Sequence, residues 1–367
     1  MSSIYSIKPN QQVSPFLLLY IIHATQIGEG ILNFERLIAA EAGYDSWIAV
    51  LLTGLMMTII LWIIWKLLNE ETVDLIGLHQ SIFTKWIGNG LTIIVSIYFL
   101  LVPILILRSY LEVIKVWLFE DLFTLGFAII LFLLLLYFIV GGFRITTGLL
   151  FISVLVTMFL GIFKYIAFTN ANIENLLPIM NHSSKEILSA VKPMFYSFLG
   201  IELILIYAPF IRHFQTNIKW AIAANWITTF IYLFSAIAIF LYFSEHQLLK
   251  IQWPTLHLWK EINLPFVERF EYIGISLHFI AIIATACIYF WAGIQCIHRV
   301  TSLNIKKISI VLGIVSVIGF VSLTSFLVVE KLEKVVNEFG FYFLIGYLPL
   351  LFFLSLIKKG VKKHAKT

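Results

Sequence analysis

Long uninterrupted runs of apolar residues constrain this chain more than any other feature. A helix needs about 20 such residues, at 1.5 Å rise each, to cross roughly 30 Å of hydrocarbon. Ten runs of that kind lie at about 14–41 (interrupted), 46–67, 89–114, 122–141, 146–166, 193–211, 218–243, 272–296, 308–329 and 339–357. In lipid, every backbone N–H and C=O must be bonded within its own segment, which selects helices. Barrel strands are shorter and alternate apolar with polar residues. The predicted fold class is an all-α integral membrane protein with ten transmembrane helices. Only 12% of residues are charged, about half the share in a soluble domain. The longest loop, 244–271, is too short for a soluble domain, so residues 1–367 read as a single transmembrane domain. The first run lacks a basic leader and a small-residue cleavage site, and reads as a span rather than a signal peptide.

Lysine and arginine set the orientation. Placing the N-terminus in the cytoplasm puts Lys8, Lys66, Lys85, Arg144, Arg299, Lys306, Lys307 and the lysine-rich tail from Lys358 inside, so both termini are predicted to be cytoplasmic. Trp47, Trp62, Trp65, Trp86, Trp117 and Trp291 read mostly as an interfacial belt. The net charge of +5 is small and dispersed, which argues against nucleic acid as a partner. Cys287 and Cys296 read as packing thiols. Together with His278 and His298 they are scattered along one apolar span without metal-ligand spacing. No phosphate-binding glycine loop, nucleophile elbow or HExxH motif is present. No cofactor, resident metal or enzymatic activity is expected.

Two spans are interrupted at glycines. The first reads Thr25-Gln26-Ile27-Gly28-Glu29-Gly30-Ile31-Leu32-Asn33, and the sixth Tyr196-Ser197-Phe198-Leu199-Gly200-Ile201-Glu202. Glycine readily leaves helical dihedrals, so each is a candidate for local unwinding. The two spans open two five-span halves, about 14–166 and 193–357, of inverted topology. Matched breaks in inverted halves point to a central small-molecule site. The half-helix after Gly30 offers a positive end suited to a carboxylate, and carbonyls ending the preceding half suit an ammonium or small cation. A zwitterionic amino acid carries both groups. The competing reading is that these glycines only permit close helix packing.

Gly28-Glu29-Gly30-Ile31-Leu32, Ala42-Gly43-Tyr44-Asp45-Ser46-Trp47-Ile48, Phe198-Leu199-Gly200-Ile201-Glu202, Trp253-Pro254-Thr255 and Glu268-Arg269-Phe270-Glu271 resemble the B subunits of bacterial endospore germinant receptors. Those are a branch of the amino acid–polyamine–organocation (APC) superfamily of permeases. The resemblance covers nearly the whole chain. It implies a permease-like five-plus-five inverted fold with broken helices 1 and 6, location in the cell membrane or spore inner membrane, and assembly with A and C receptor subunits. It also implies that spans three and eight face the broken pair, where Tyr98 and Val102, and Thr285 and Tyr289, share helix faces. The candidate ligand-binding set is then Gly28, Glu29, Gly30, Ile31, Tyr98, Val102, Phe198, Leu199, Gly200, Glu202, Thr285 and Tyr289. Ser276 and Thr285 are weak candidates for a sodium site. Two departures fall beside the pocket. Glu29 stands where similar proteins usually carry a small or apolar residue, and Asn33-Phe34 replaces a frequent leucine-proline pair.

Ionisable residues inside spans are functional candidates by default. Glu202 either binds an ammonium, takes a coupling proton, bonds unwound backbone, or ties helices together. Glu29 points away from the ligand, carries a proton, or marks a cationic ligand. Arg108 and Glu112, one turn apart on span three, read as a structural pair near the outer interface, where the arginine snorkels. Two functions fit. One is a nutrient-binding receptor subunit, most simply for an amino acid. The other is an ion-coupled secondary amino acid transporter. One scaffold hosts both.

Overall fold

The computed structural model describes residues 7–68, 74–262, 265 and 267–364, and among them secondary structure is helical apart from isolated bridge residues, Val13 and Ile211 being paired. The chain forms α1 (Leu17–Gln26), α2 (Phe34–Ala42), α3 (Trp47–Leu67), α4 (Leu75–Ile82), α5 (Lys85–Trp117), α6 (Thr124–Val140) and α7 (Phe143–Ile162). After a connection of short turns come α8 (Ser184–Tyr196), α9 (Ile201–Phe210) and α10 (Lys219–Tyr242). The remainder is α11 (Pro254–Lys260), α12 (Phe270–Thr301), α13 (Ile305–Ser322), α14 (Phe326–Tyr342) and α15 (Leu348–His364).

Polar residues in the connections start several of these helices by accepting from their free first-turn amides. The Asp74 carboxylate accepts the Gly77 N–H at 2.8 Å to open α4. Ser183 and Glu186 form a reciprocal capping box at α8. Asn304 accepts the Lys306 N–H at 2.9 Å to open α13. Seven helical stretches among the described residues are long and apolar enough to cross a membrane, and α8 with α9, bent by 51°, makes an eighth. A count of ten needs in addition the shorter apolar helices α1 and α6.

The last two spans differ from the sequence reading. α13 ends at Ser322 rather than 329, and residues 330–338, predicted as a loop, lie inside α14. The break falls at Leu323–Ser325 because those carbonyls have another partner: Arg108 on α5 donates to Leu323 O at 2.6 Å and to Thr324 O at 3.4 Å. Hydropathy missed α14 because Glu330, Lys331, Glu333 and Lys334 interrupt its apolar pattern. Arg108 also pairs with Glu112. Only 3% exposed, it is packed among helices and does not snorkel along lipid.

The interior is built around α12, which packs along α5 and α7, while α1 lies against α7 and α10 and α2 against α8. α14 closes over α5. Outward faces stay apolar: Ile310, Ile314 and Ile318, one turn apart on α13, are 56–64% exposed. Such a stripe suits a lipid environment rather than water.

Candidate ligand-binding site

Both glycine-marked interruptions are real departures from helix. α1 stops at Gln26, the chain leaves helical dihedrals through Ile27 and Gly28 (φ −98°, ψ −137°), turns once through Glu29–Leu32, and resumes as α2. α8 stops at Tyr196, and α9 begins after Gly200, whose φ of +114° is costly for a side-chain-bearing residue. The two breaks touch. A Cβ on Gly200 would lie 2.7 Å from the Thr25 side chain and 3.0 Å from its carbonyl, and one on Gly30 would lie 2.9 Å from Ser197 Oγ.

Unwinding frees backbone groups that must find partners away from water. Side chains of this protein supply several of them. The Tyr232 hydroxyl on α10 lies 2.6 Å from Gln26 O and 3.2 Å from Ser197 O, so one donor spans both breaks. Thr285 Oγ1 donates to Ala24 O at 3.2 Å, and Thr255 Oγ1 on α11 donates to Ile31 O at 3.0 Å. Glu202 Oε2 accepts the Gly200 N–H at 2.8 Å, while its Oε1 accepts from Tyr98 at 2.8 Å and Tyr289 at 2.7 Å. Glu202 is fully buried, and it clasps three elements, α5, α9 and α12, at once.

A cavity of about 350 Å³ opens between the breaks, α5, α12 and α14. Its wall takes Gly28, Glu29 and Gly30 from the first break, Tyr98, Val102 and Ser109 from α5, and Leu199 from the second break. Thr285 and Tyr289 come from α12, Arg36 from α2, and Glu330, Glu333 and Lys334 from α14. Of the candidate residues, Gly28, Glu29, Gly30, Tyr98, Val102, Leu199, Thr285 and Tyr289 therefore meet at one space. Ile31, Phe198, Gly200 and Glu202 are buried outside the lining. Ser276 is exposed and does not face the cavity. Glu29 accepts a hydrogen bond from the Ser109 hydroxyl.

Sequence reasoning passed over two groups. Glu35 on α2 and Lys164 form a buried pair, Nζ to Oε1 3.3 Å, with Ser235 bonded to both and Thr255 3.0 Å from Nζ. Both positions lie inside predicted spans, and opposite charges in two apolar runs were the available signal. Arg36 on α2 also lines the cavity, and Glu330, Glu333 and Lys334, which fall between the predicted spans 308–329 and 339–357, are turned toward it by the helix Phe326–Tyr342.

A family model described as spore germination protein matches residues 12–326. The chain belongs to the spore germination permease family. Spore germination protein GerQB of Bacillus cereus is 33% identical over 96% of this chain and 98% of that one. Spore germination protein YndE of Bacillus subtilis (strain 168) is 27% identical over 86% of this chain and 87% of its own length. Among solved structures, MhsT in complex with L-phenylalanine matches with a TM-score of 0.62 at 14% identity, covering 94% of this chain and 88% of that one. A Na+-coupled sialic acid symporter in a substrate-bound outward-open state matches with a TM-score of 0.61 at 12% identity, covering 95% of this chain and 79% of that one. At such identities the likeness shows the fold alone. This spore germination permease has the architecture of the APC-type transporters and is a membrane protein.

Proposed function

We propose that this spore germination permease is the nutrient-binding subunit of a germinant receptor, and that an amino acid is the nutrient. One observation carries the reading: a cavity of about 350 Å³ sits where the two interrupted helices meet. That size lies within the range of roughly 300–1,000 Å³ usual for small-molecule pockets. Its wall holds groups of both charges, Glu29 and Glu333 against Arg36 and Lys334, together with apolar Val102 and Leu199. A zwitterion with a modest side chain matches that mixture.

Ligand binding then acts by differential affinity, shifting the population between two arrangements of the broken helices. A and C subunits of the receptor read the shift. The chain works as one ten-span domain, with halves at about 14–166 and 193–357, in the spore inner membrane with both termini cytoplasmic.

The test is a spore strain in which this chain belongs to the sole germinant receptor, exposed to single amino acids, alongside binding of the same compounds to the purified protein. At least one amino acid is expected to trigger germination and to bind, and Val102→Trp, which fills the cavity, to abolish both. Germination by amino acids that survives Val102→Trp unchanged would overturn the reading.

A further inference from the structure

Breaks of this kind are expected to hold a ligand by exposed main-chain dipoles. Here several of those dipoles are taken. Gln26 O and Ser197 O share the Tyr232 hydroxyl, Ala24 O accepts from Thr285, Ile31 O accepts from Thr255, and the Gly200 N–H donates to Glu202. Polar atoms are also left over on side chains. Among the described residues, two cavity-lining side chains carry a buried polar atom without a hydrogen-bond partner: Arg36 Nε and Glu333 Oε1. They are of opposite charge, face the same space, and form no salt bridge with each other or with any other described residue. Buried polar atoms are almost always satisfied, and a cavity flanked by two orphans of opposite sign lacks a bridging partner.

The acidic end is doubled. Glu29 and Glu333 lie within electrostatic reach of each other, with Ser109 beside both. Two carboxylates at one place repel, and a cation placed between them relieves that repulsion. A ligand carboxylate is excluded from the same place for the same reason. Resting on the amino-acid reading above, we propose that the cavity fixes the direction of its ligand through side chains. The ammonium lies at Glu29 and Glu333 beside the first break, and the carboxylate lies at Arg36 on α2. The site recognises zwitterions carrying a free α-ammonium and a free carboxylate, and rejects analogues lacking either.

The test uses the purified full-length protein in lipid nanodiscs. The common L-amino acids are screened first, and the tightest binder is then compared with its α-amide and its N-acetyl derivative. Losing one charge-assisted contact weakens binding about 10- to 100-fold. Arg36→Gln is expected to weaken the amino acid by that factor and leave the amide unchanged, the retained amide binding showing that the variant is folded. Glu333→Gln is expected to weaken the amino acid and the amide alike, while the N-acetyl derivative, already weak, loses nothing further. Equal loss of amino acid and amide in Arg36→Gln, or no loss of either, overturns this orientation while leaving the amino-acid reading standing. Failure of every amino acid to bind the wild type overturns the functional reading itself.

Discussion

Tyr232→Phe removes one oxygen from the point where the two interrupted helices are held together. The ring stays in place: its centroid is 4.7 Å from Phe34 and 5.2 Å from Phe198, and a phenylalanine keeps both contacts. What is lost is the donor to Gln26 O at 2.6 Å and Ser197 O at 3.2 Å. Tyr232 is fully buried, so neither carbonyl gains solvent in exchange. Leaving a buried acceptor without a partner costs about 1–3 kcal/mol. The shorter contact carries most of the effect, and the total expected is roughly 2–4 kcal/mol by the same scale. That corresponds to a fall of about 3–5 °C in unfolding temperature, at roughly 1.3 °C per kcal/mol for a chain of 367 residues. The molecule carries its own reporter, because Cys287 and Cys296 are buried free thiols that react with a maleimide fluorophore only on unfolding. A melting temperature in Tyr232→Phe equal to that of the wild type, with unaltered ligand binding, would refute the claim that side chains take up the freed backbone.

Three further outcomes follow from the same geometry. Gly200→Ala meets both a positive φ and a Cβ position 2.7 Å from Thr25, so it should destabilise by about 2–4 kcal/mol. Gly28→Ala, whose nearest neighbour would be Thr285 at 3.8 Å, should lose far less in the same thiol-accessibility melt. Glu202→Leu strands the donors Tyr98, Tyr289 and Gly200 N–H and should cost about 1–3 kcal/mol for each. Glu202→Gln keeps an acceptor and should melt well above the leucine variant. Lys164→Met leaves Glu35 buried without its cation and should cost about 3–5 kcal/mol, and adding Glu35→Leu should recover most of it. A single variant as stable as the wild type would show that the pair is not an ion pair in the folded protein.

Much of this was legible from spacing alone. Apolar runs give helices in lipid because the backbone has no other way to bond, so the all-α class and most helix positions follow from the sequence. The breaks at Gly28–Gly30 and Gly200 were legible because glycine in an apolar span needs a reason. The partners of Glu202 were not legible: besides the nearby Gly200 amide, its oxygens meet Tyr98 and Tyr289, from elements about one hundred residues away. The polar wall supplied by α14 was hidden for a different reason. Glu330, Glu333 and Lys334 look like loop charges to a hydropathy window, yet helical spacing aims them at the cavity. Arg108 explains the shifted boundary, since it takes the carbonyls of Leu323 and Thr324 that a longer α13 would have used internally. Apart from the Gly200 amide with Glu202, none of these pairings is local in sequence, so neither composition nor periodicity encodes them visibly.

The most direct measurement is an experimental structure of the protein saturated with the amino acid that binds it most tightly. Ligand density is expected between Gly28, Tyr98, Leu199, Thr285 and Tyr289, with both chain interruptions intact beside it. Density at any other place, or a first or sixth span running as one continuous helix with no space between them, would contradict the assignment.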